Sequence, residues 1–361
     1  MIAISGRAVL TAYGRGVDPL MAAACAGRDA FGPVERFDVR GRRIGVAATA
    51  PQVGDLRTEL VSVIMAAVAD AGLGDVAMPL ILAVHGDPAL GRAPTDRPAG
   101  AATLAADVAR AAGLSGVART YTSACVAAST AVAAGAARLD AGADRIVVAA
   151  GYLVEPDQYA IFDAARVFAA DGRVRPFSRD RKGLLLGDGV AAVVLETADA
   201  LRERGGEAFA WLPGWARSGD AYHVCQSRPD GAGQARAITA ALARAGVAAG
   251  EVGYVNAHGS GAPLSDVSEA AALTRAGLTA PVGSTKSLHG QALEASGLVE
   301  LVITAEALRR GRLPVNAGYH GPDPDCPLDV ITEPRTTTAG YALSLNSAFG
   351  GAHTALLVGA P

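Results

Sequence analysis

Lysine is nearly missing from this sequence. Of 32 basic side chains all but two are arginine, and the exceptions are Lys182 and Lys286. Where arginine is the default cation, a retained ammonium needs its own reason, because the two groups differ in geometry and hydration. Charge of either sign is sparse, at 19% of residues with a net charge of −3. That leaves no electrostatic footprint for a nucleic-acid partner. Cysteine is sparse too, and Cys25, Cys125, Cys225 and Cys326 stand each about a hundred residues from the next. No C-x-x-C pair occurs, so ribbon-type metal sites and dithiol redox motifs are excluded, and no metal is expected. This spacing fits a reducing cytoplasm. No apolar run reaches the about 18 residues that a membrane span needs. The first residues lack the charged-then-apolar layout of a signal peptide. The expected location is therefore the cytoplasm, away from membranes.

What the chain has is a large apolar share. Half of its 361 residues are hydrophobic, with many Ala and Gly. It can bury a large core as one big domain or as two fused halves. Apolar runs of buried-strand type, such as Leu80 to Val84, Arg145 to Ala150 and Ala191 to Leu195, alternate with helical stretches such as Arg57 to Ala71. A Pro/Gly-bearing loop, Asp87 to Gly100, leads to a helix ending near Ala111. After Arg204-Gly205-Gly206 the pattern restarts, so residues 1–205 and 206–361 read as two related halves. Leu82-Ala83-Val84-His85-Gly86 echoes Val255-Asn256-Ala257-His258-Gly259. A strand, turn and helix around Cys125 echo another from Ser284 to Leu308. Alternating strands and helices predict an α/β fold with helix-covered sheets, two of them if the unit is duplicated. Sites in such folds gather where loops leave the carboxyl ends of strands. Cys125, His258 and the Lys286 to Gln291 turn all sit at such ends.

The stretch Tyr121-Thr122-Ser123-Ala124-Cys125-Val126 carries the sharpest chemical signal. Small residues surround one cysteine, and an Ala-rich helix from Val126 to Leu139 follows at once. A cysteine at a helix N-terminus is favoured as a thiolate, the form that attacks carbon. The competing reading is a buried cysteine that acts as a small hydrophobe.

Four segments taken together weigh in favour of the nucleophile. Thr122-Ser123-Ala124-Cys125 resembles the nucleophile elbow of the β-ketoacyl-acyl-carrier-protein synthases, in the thiolase superfamily. Asn256-Ala257-His258-Gly259-Ser260-Gly261 through Asp266 resembles their first histidine motif. Ser284-Thr285-Lys286 through Gln291, with Gly297-Leu298-Val299-Glu300, resembles their lysine and second-histidine motif. Phe349-Gly350-Gly351 resembles their Gly-rich gate. Weaker echoes at Arg36-Phe37-Asp38, Arg175-Pro176-Phe177, Gly187-Asp188-Gly189 and Pro324 to Asp329 keep the family's order. The resemblance implies a thiolase-like fold, a duplicated five-layered α-β-α-β-α arrangement with mixed sheets. It implies that Cys125 takes an acyl group from the phosphopantetheine of an acyl carrier protein. The backbone N–H groups of Cys125 and Phe349 would then form the oxyanion hole. His258 would hold the malonyl thioester carbonyl, and Lys286 would set the local field, with Glu300 and Glu269 as possible partners. No cofactor of the chain's own is implied. Pairing as a homodimer, or as a heterodimer with a ketosynthase, would bury the exposed sheet edge of such a core.

The departures are as informative. Counting from Lys286, the family's second histidine falls on Gln291, while a histidine stands two positions earlier at His289. Gln291 donates in its place, or the turn is re-registered so that His289 points inward, or the site cannot decarboxylate. Ser347 stands where an aromatic residue is usual, two positions before Phe349. The chain is also shorter than a typical synthase ahead of Cys125. Two functions follow from the resemblance: a condensing synthase or acyltransferase, and a chain-length-factor-like subunit that shapes a partner's pocket. A thiolase is disfavoured, because its second cysteine is missing from the Phe349 to His353 loop. His85, His223, His320 and His353 read as structural or surface residues, His353 being the strongest exception.

Overall fold

The computed structural model describes residues 1–74, 77–86 and 100–361. The expected loop at Asp87 to Gly100 therefore falls, but for its last residue, outside the described residues. Ten strands carry the architecture. The first half contains β1 (Ile2–Thr11), β2 (Pro79–Val84), β3 (Gly116–Tyr121), β4 (Arg145–Tyr152) and β5 (Gly189–Thr197). The second contains β6 (Ala210–Gly219), β7 (Val252–Asn256), β8 (Val282–Gly283), β9 (Tyr341–Ala348) and β10 (Ala352–Gly359).

Duplication is written into the strand order. The first half runs β3-β2-β4-β5-β1 and the second runs β8-β7-β9-β10-β6. In each, the first two neighbour pairs are parallel and the last two antiparallel. Two similar sheets were expected, and the two five-strand runs are joined: β1 and β6 pair antiparallel through Ile2–Leu212, Ala3–Trp211 and Ile4–Ala210, so both lie in one continuous sheet. Edge strands present unpaired N–H and C=O groups, and this short ladder satisfies them where the halves meet.

Helices lie in the expected layers. We label α1 (Leu56–Asp70), α2 (Ala127–Asp140), α3 (Ala232–Ala245), α4 (Pro263–Arg275), α5 (Lys286–His289) and α6 (Ser296–Arg310). Helix α1 begins on Asp55, whose side chain accepts from the Thr58 N–H at 2.7 Å, satisfying one orphan donor. It packs its Leu60, Ile64 and Ala67 face on the outside of the first half, in a core shared with Leu80, Val147 and Val194. Helices α3 and α4 cover the second half through a separate core with Val255, Leu343 and Leu357. Helices α2 and α6 lie between the halves, in the largest core. Both are buried nearly all round, as helices covered on every side are. Their closest approach needs Gly297, since a Cβ there would come within 2.1 Å of the Ser129 hydroxyl. Among the described residues no helix is long and apolar enough to cross a membrane.

Candidate active site

Strand β3 ends at Tyr121, and the chain must turn sharply to enter α2. Ala124 makes that turn with φ at +51°, a left-handed conformation that costs a non-glycine residue about 1–2 kcal/mol. Cys125 follows in a single 3₁₀ turn, Ala124–Val126, ahead of α2. The second half repeats the device. Leu293 takes φ +40°, the 3₁₀ turn is Leu293–Ala295, and α6 follows. Glu294 therefore occupies the position in its half that Cys125 occupies in the other. Sequence reading missed Glu294, although counting back two residues from each helix start would have paired them. His85, set aside above, reaches it with Nδ1 3.0 Å from Oε1 of Glu294. That hydrogen bond pulls the His85 pKa up.

Burial opposes the thiolate expected from the helix terminus. Burial pushes the Cys125 thiol up to about 12, and the Glu294 charge adds to the effect. A hydrogen bond from Gln291 and the Lys286 charge work against them without winning. Losing solvation thus outweighs the helix terminus. Iodoacetamide should then label Cys125 slowly at pH 7 and about tenfold faster per added pH unit, with no plateau below about pH 9. Glu294→Gln should quicken labelling at any fixed pH. Peptide mass spectrometry reads both rates, and a plateau near neutrality contradicts the assignment.

Cys125 opens on a cavity of about 420 Å³ whose wall also holds His258, Gln291, Ser347 and Phe349. Most of the remaining lining is apolar, including Phe162, Leu184 and Leu264. Phe349 is 58% exposed and stands at the rim, its ring 6.3 Å from that of Phe162. Burial, then Lys286 and His353, hold the His258 pKa well below the usual histidine range. Its imidazole is neutral, with one donor and one acceptor nitrogen. The Nδ1 atom is buried with no protein partner.

Gln291 is fixed at both backbone ends. Its N–H donates to Leu185 at 2.8 Å and its C=O accepts from Gly187 at 3.0 Å. The Ser296 hydroxyl donates to Oε1 at 3.4 Å, which leaves the amide nitrogen for the cavity. His289 is not on the cavity wall. It is fully buried in α5, with Nε2 3.1 Å from the Thr285 hydroxyl. The ring of His289 thus does not line the cavity, and a Cβ at Gly290, where φ is +75°, would come within 2.7 Å of the Leu186 carbonyl oxygen.

Lys286 is buried behind the wall, its Nζ 2.5 Å from Oε1 of Glu300. The contact is a close, fully buried ion pair. Asn346 donates to the other Glu300 oxygen at 2.6 Å. Glu269, the second expected partner of Lys286, is engaged elsewhere. It accepts from the N–H groups of His258 at 2.8 Å and Gly259 at 2.7 Å, and from Gln234 at 2.7 Å. It therefore holds the His258 loop in place rather than pairing with the ammonium. Burial raises the pKa of both carboxyls.

Two weak echoes touch. Arg36 donates both its terminal nitrogens to Asp188, at 3.0 and 2.7 Å, and Asp188 also accepts from the Ala50 and Val154 N–H groups. Asp188 is a filled structural hub. Among the described residues no cluster of three His, Cys, Asp or Glu side chains could hold a metal ion.

Comparison with known families decides what this arrangement belongs to. Residues 52–200 match the β-ketoacyl synthase N-terminal domain, and residues 209–320 match its C-terminal domain. The chain belongs to the β-ketoacyl synthase family. This synthase-family chain is 38% identical over 218 residues to the tetracenomycin polyketide synthase ketoacyl synthase alpha subunit of Streptomyces glaucescens. That match covers 58% of this chain and 51% of the relative. It is 36% identical over 213 residues to a 3-oxoacyl-acyl-carrier-protein synthase 2 of Synechocystis sp., covering 56% of this chain and 51% of that one. The matched stretches thus span about half the length of these curated relatives. A solved structure, the ishigamide ketosynthase/chain length factor, superposes with a TM-score of 0.91 at 26% identity. There all of this chain and 99% of the other are covered. The thiolase-like fold expected from the motifs is therefore established.

Proposed function

We propose that the protein is a β-ketoacyl-acyl-carrier-protein synthase-type acyltransferase. The observation that carries this reading is the single cavity wall shared by Cys125, His258 and Gln291. Cys125 takes an acyl group from carrier-bound phosphopantetheine as a thioester. Backbone N–H groups of Cys125 and Phe349 stabilise the tetrahedral oxyanion. His258 and Gln291 then donate to the thioester carbonyl of a malonyl unit, where negative charge develops as CO₂ leaves. The resulting enolate attacks acyl-Cys125, the carbon–sulfur bond breaks, and the departing sulfur takes a proton from solvent to restore the thiol. Lys286, paired with Glu300, keeps a positive charge behind the wall. Glutamine cannot exchange a proton, but this step asks only for a donor. The acyl carrier protein is the partner implied by the name of the Synechocystis relative. We place the boundary between the two halves at residues 205 and 206, and the chain in the cytoplasm as a homodimer or a heterodimer.

A second reading is a chain-length-factor-like subunit, favoured by the end-to-end likeness to the ishigamide ketosynthase/chain length factor. The intact Cys125, His258 and Lys286 set favour the enzyme. Incubation with acyl- and malonyl-carrier protein separates the two. The enzyme yields a 3-oxoacyl carrier protein detectable by mass. Product only when a second ketosynthase supplies its own cysteine, and equally with Cys125→Ala, would select the subunit.

A further inference from the structure

His353 and Ser347, neither of which the condensation uses, are joined in a way the proposed reaction does not require. Strands β9 and β10 are linked by the three residues Phe349 to Gly351, and Ser347 stands directly opposite His353 in their ladder. On its other side His353 pairs with Ser218 of β6, and Asp220 follows the end of that strand. Three neighbouring strands thus bring one side chain each to the same place. The Ser347 hydroxyl lies 2.8 Å from Nδ1 of His353, and Nε2 lies 3.0 Å from Oδ2 of Asp220. A carboxylate oxygen only accepts, so Nε2 carries the proton. In the neutral imidazole Nδ1 is then the acceptor, and the Ser347 hydroxyl donates to it.

The carboxylate sits in a made seat. Oδ2 also accepts from the Arg228 N–H at 2.7 Å, and the Asp220 N–H donates to Gly351 at 2.8 Å. A Cβ at Gly233 would come within 1.8 Å of Oδ1, and one at Gly351 within 2.5 Å of Oδ2. Both positions must be glycine for this carboxylate to fit. Oδ1 is buried without a partner, so the carboxylate keeps capacity for a neighbouring cation. Histidine and aspartate side chains are each only 1% exposed. Ser347, at the other end of the series, reaches the wall of the cavity that Cys125 opens on. A hydroxyl donating to a neutral imidazole, itself oriented by a buried carboxylate, is the arrangement that activates a serine.

We propose that Ser347 is a second nucleophile in this cavity, an activated hydroxyl that takes acyl groups from thioesters and passes them to water. Under the function proposed above, the thioester is acyl-Cys125. Oγ of Ser347 attacks the acyl carbonyl, and its proton moves to Nδ1 of His353. The carbon–sulfur bond breaks, and the departing Cys125 sulfur takes that proton back from His353. An oxyester on Ser347 remains. Water then attacks the ester carbonyl, giving up a proton to Nδ1. The carbon–oxygen bond to Ser347 breaks, the hydroxyl regains its proton, and a free carboxylic acid leaves. No oxidant or reductant enters. Asp220 acts through His353 and is a positioning residue.

An alkyl fluorophosphonate tests this without relying on Cys125, because it phosphonylates activated serine hydroxyls with loss of fluoride. The full chain and Cys125→Ala should both be labelled on the peptide bearing Ser347. Labelling should fall at least tenfold in His353→Asn, and the pH profile of the residual labelling should lose its imidazole step. With an acyl-carrier-protein thioester, the ratio of free acid released to Cys125 acylated should fall at least tenfold in Ser347→Ala. Thermal melting confirms that each variant is folded. No label on Ser347 in the unaltered chain overturns the proposal whether or not the variants fold. Equal labelling of folded His353→Asn overturns it too. A labelled Ser347 with no acyl adduct on Cys125 upholds this activity and sinks the condensing function instead.

Discussion

Replacing Gln291 by alanine should slow decarboxylation of malonyl carrier protein about a hundred-fold or more, the usual effect of losing one donor to a developing oxyanion. Under the proposed function the amide is positioned for that task. Its backbone is tied to Leu185 and Gly187, and the Ser296 hydroxyl takes its oxygen, so the nitrogen is the end offered to the cavity. Without it, His258 alone faces the enolate oxygen. Gln291→His should keep or raise the rate, because an imidazole restores a donor at the same register. His289→Ala should have little effect on this step, since that ring is turned to Thr285 behind the wall. Release of CO₂ from malonyl carrier protein measures all three. A large loss in His289→Ala with little in Gln291→Ala would contradict the assignment.

Removing the ammonium of Lys286 should destabilise the fold by about 3–5 kcal/mol, because it leaves a buried carboxylate without its counter-charge. Glu300 would keep only the Asn346 amide, 2.6 Å away, to offset its burial. The loss should depend on pH. Burial raises the Glu300 pKa in the folded chain. The folded state then binds its proton more tightly than the unfolded state, so its stability falls as pH rises through the folded value. In Lys286→Ala this tendency is stronger, because the cation that lowered the pKa is gone. The destabilisation should therefore be greatest above neutrality and shrink toward the ordinary carboxylate range. Lys286→Ala combined with Glu300→Gln should regain part of the loss, since neither charge is then stranded. Urea unfolding midpoints at several pH values read these changes. Equal losses at low and high pH would count against the pair.

How far the sequence alone foretold this site depends on the residue. Cys125, His258 and Gln291 were legible because each closes a short segment of fixed order at the end of a strand. Duplication was legible in the two strand-turn-helix units, and the strand order bears it out. That the halves join through β1 and β6 was not legible, since three residue pairs in an apolar edge leave no pattern. Glu269 was misplaced because two of its three partners are backbone N–H groups, which no sequence distinguishes. The raised pKa of Cys125 was not legible, because burial, a property of the whole fold, works against the helix terminus visible in the local sequence. The Ser347, His353 and Asp220 series was hidden by strand ends. In the sequence, the strand-like runs are Tyr341 to Leu345 and Thr354 to Val358, which leaves both side chains in the loop between them. In the fold, β9 runs on to Ala348 and β10 starts at Ala352, which sets the two opposite each other.

The central claim is that Cys125 carries the acyl group. Incubating the full chain with an acyl-carrier-protein thioester, followed by peptide mapping by mass spectrometry, tests it most directly. The expected result is a mass increase of one acyl group on the peptide bearing Cys125, absent from Cys125→Ala. An adduct missing from that peptide, or unchanged in Cys125→Ala, would contradict it.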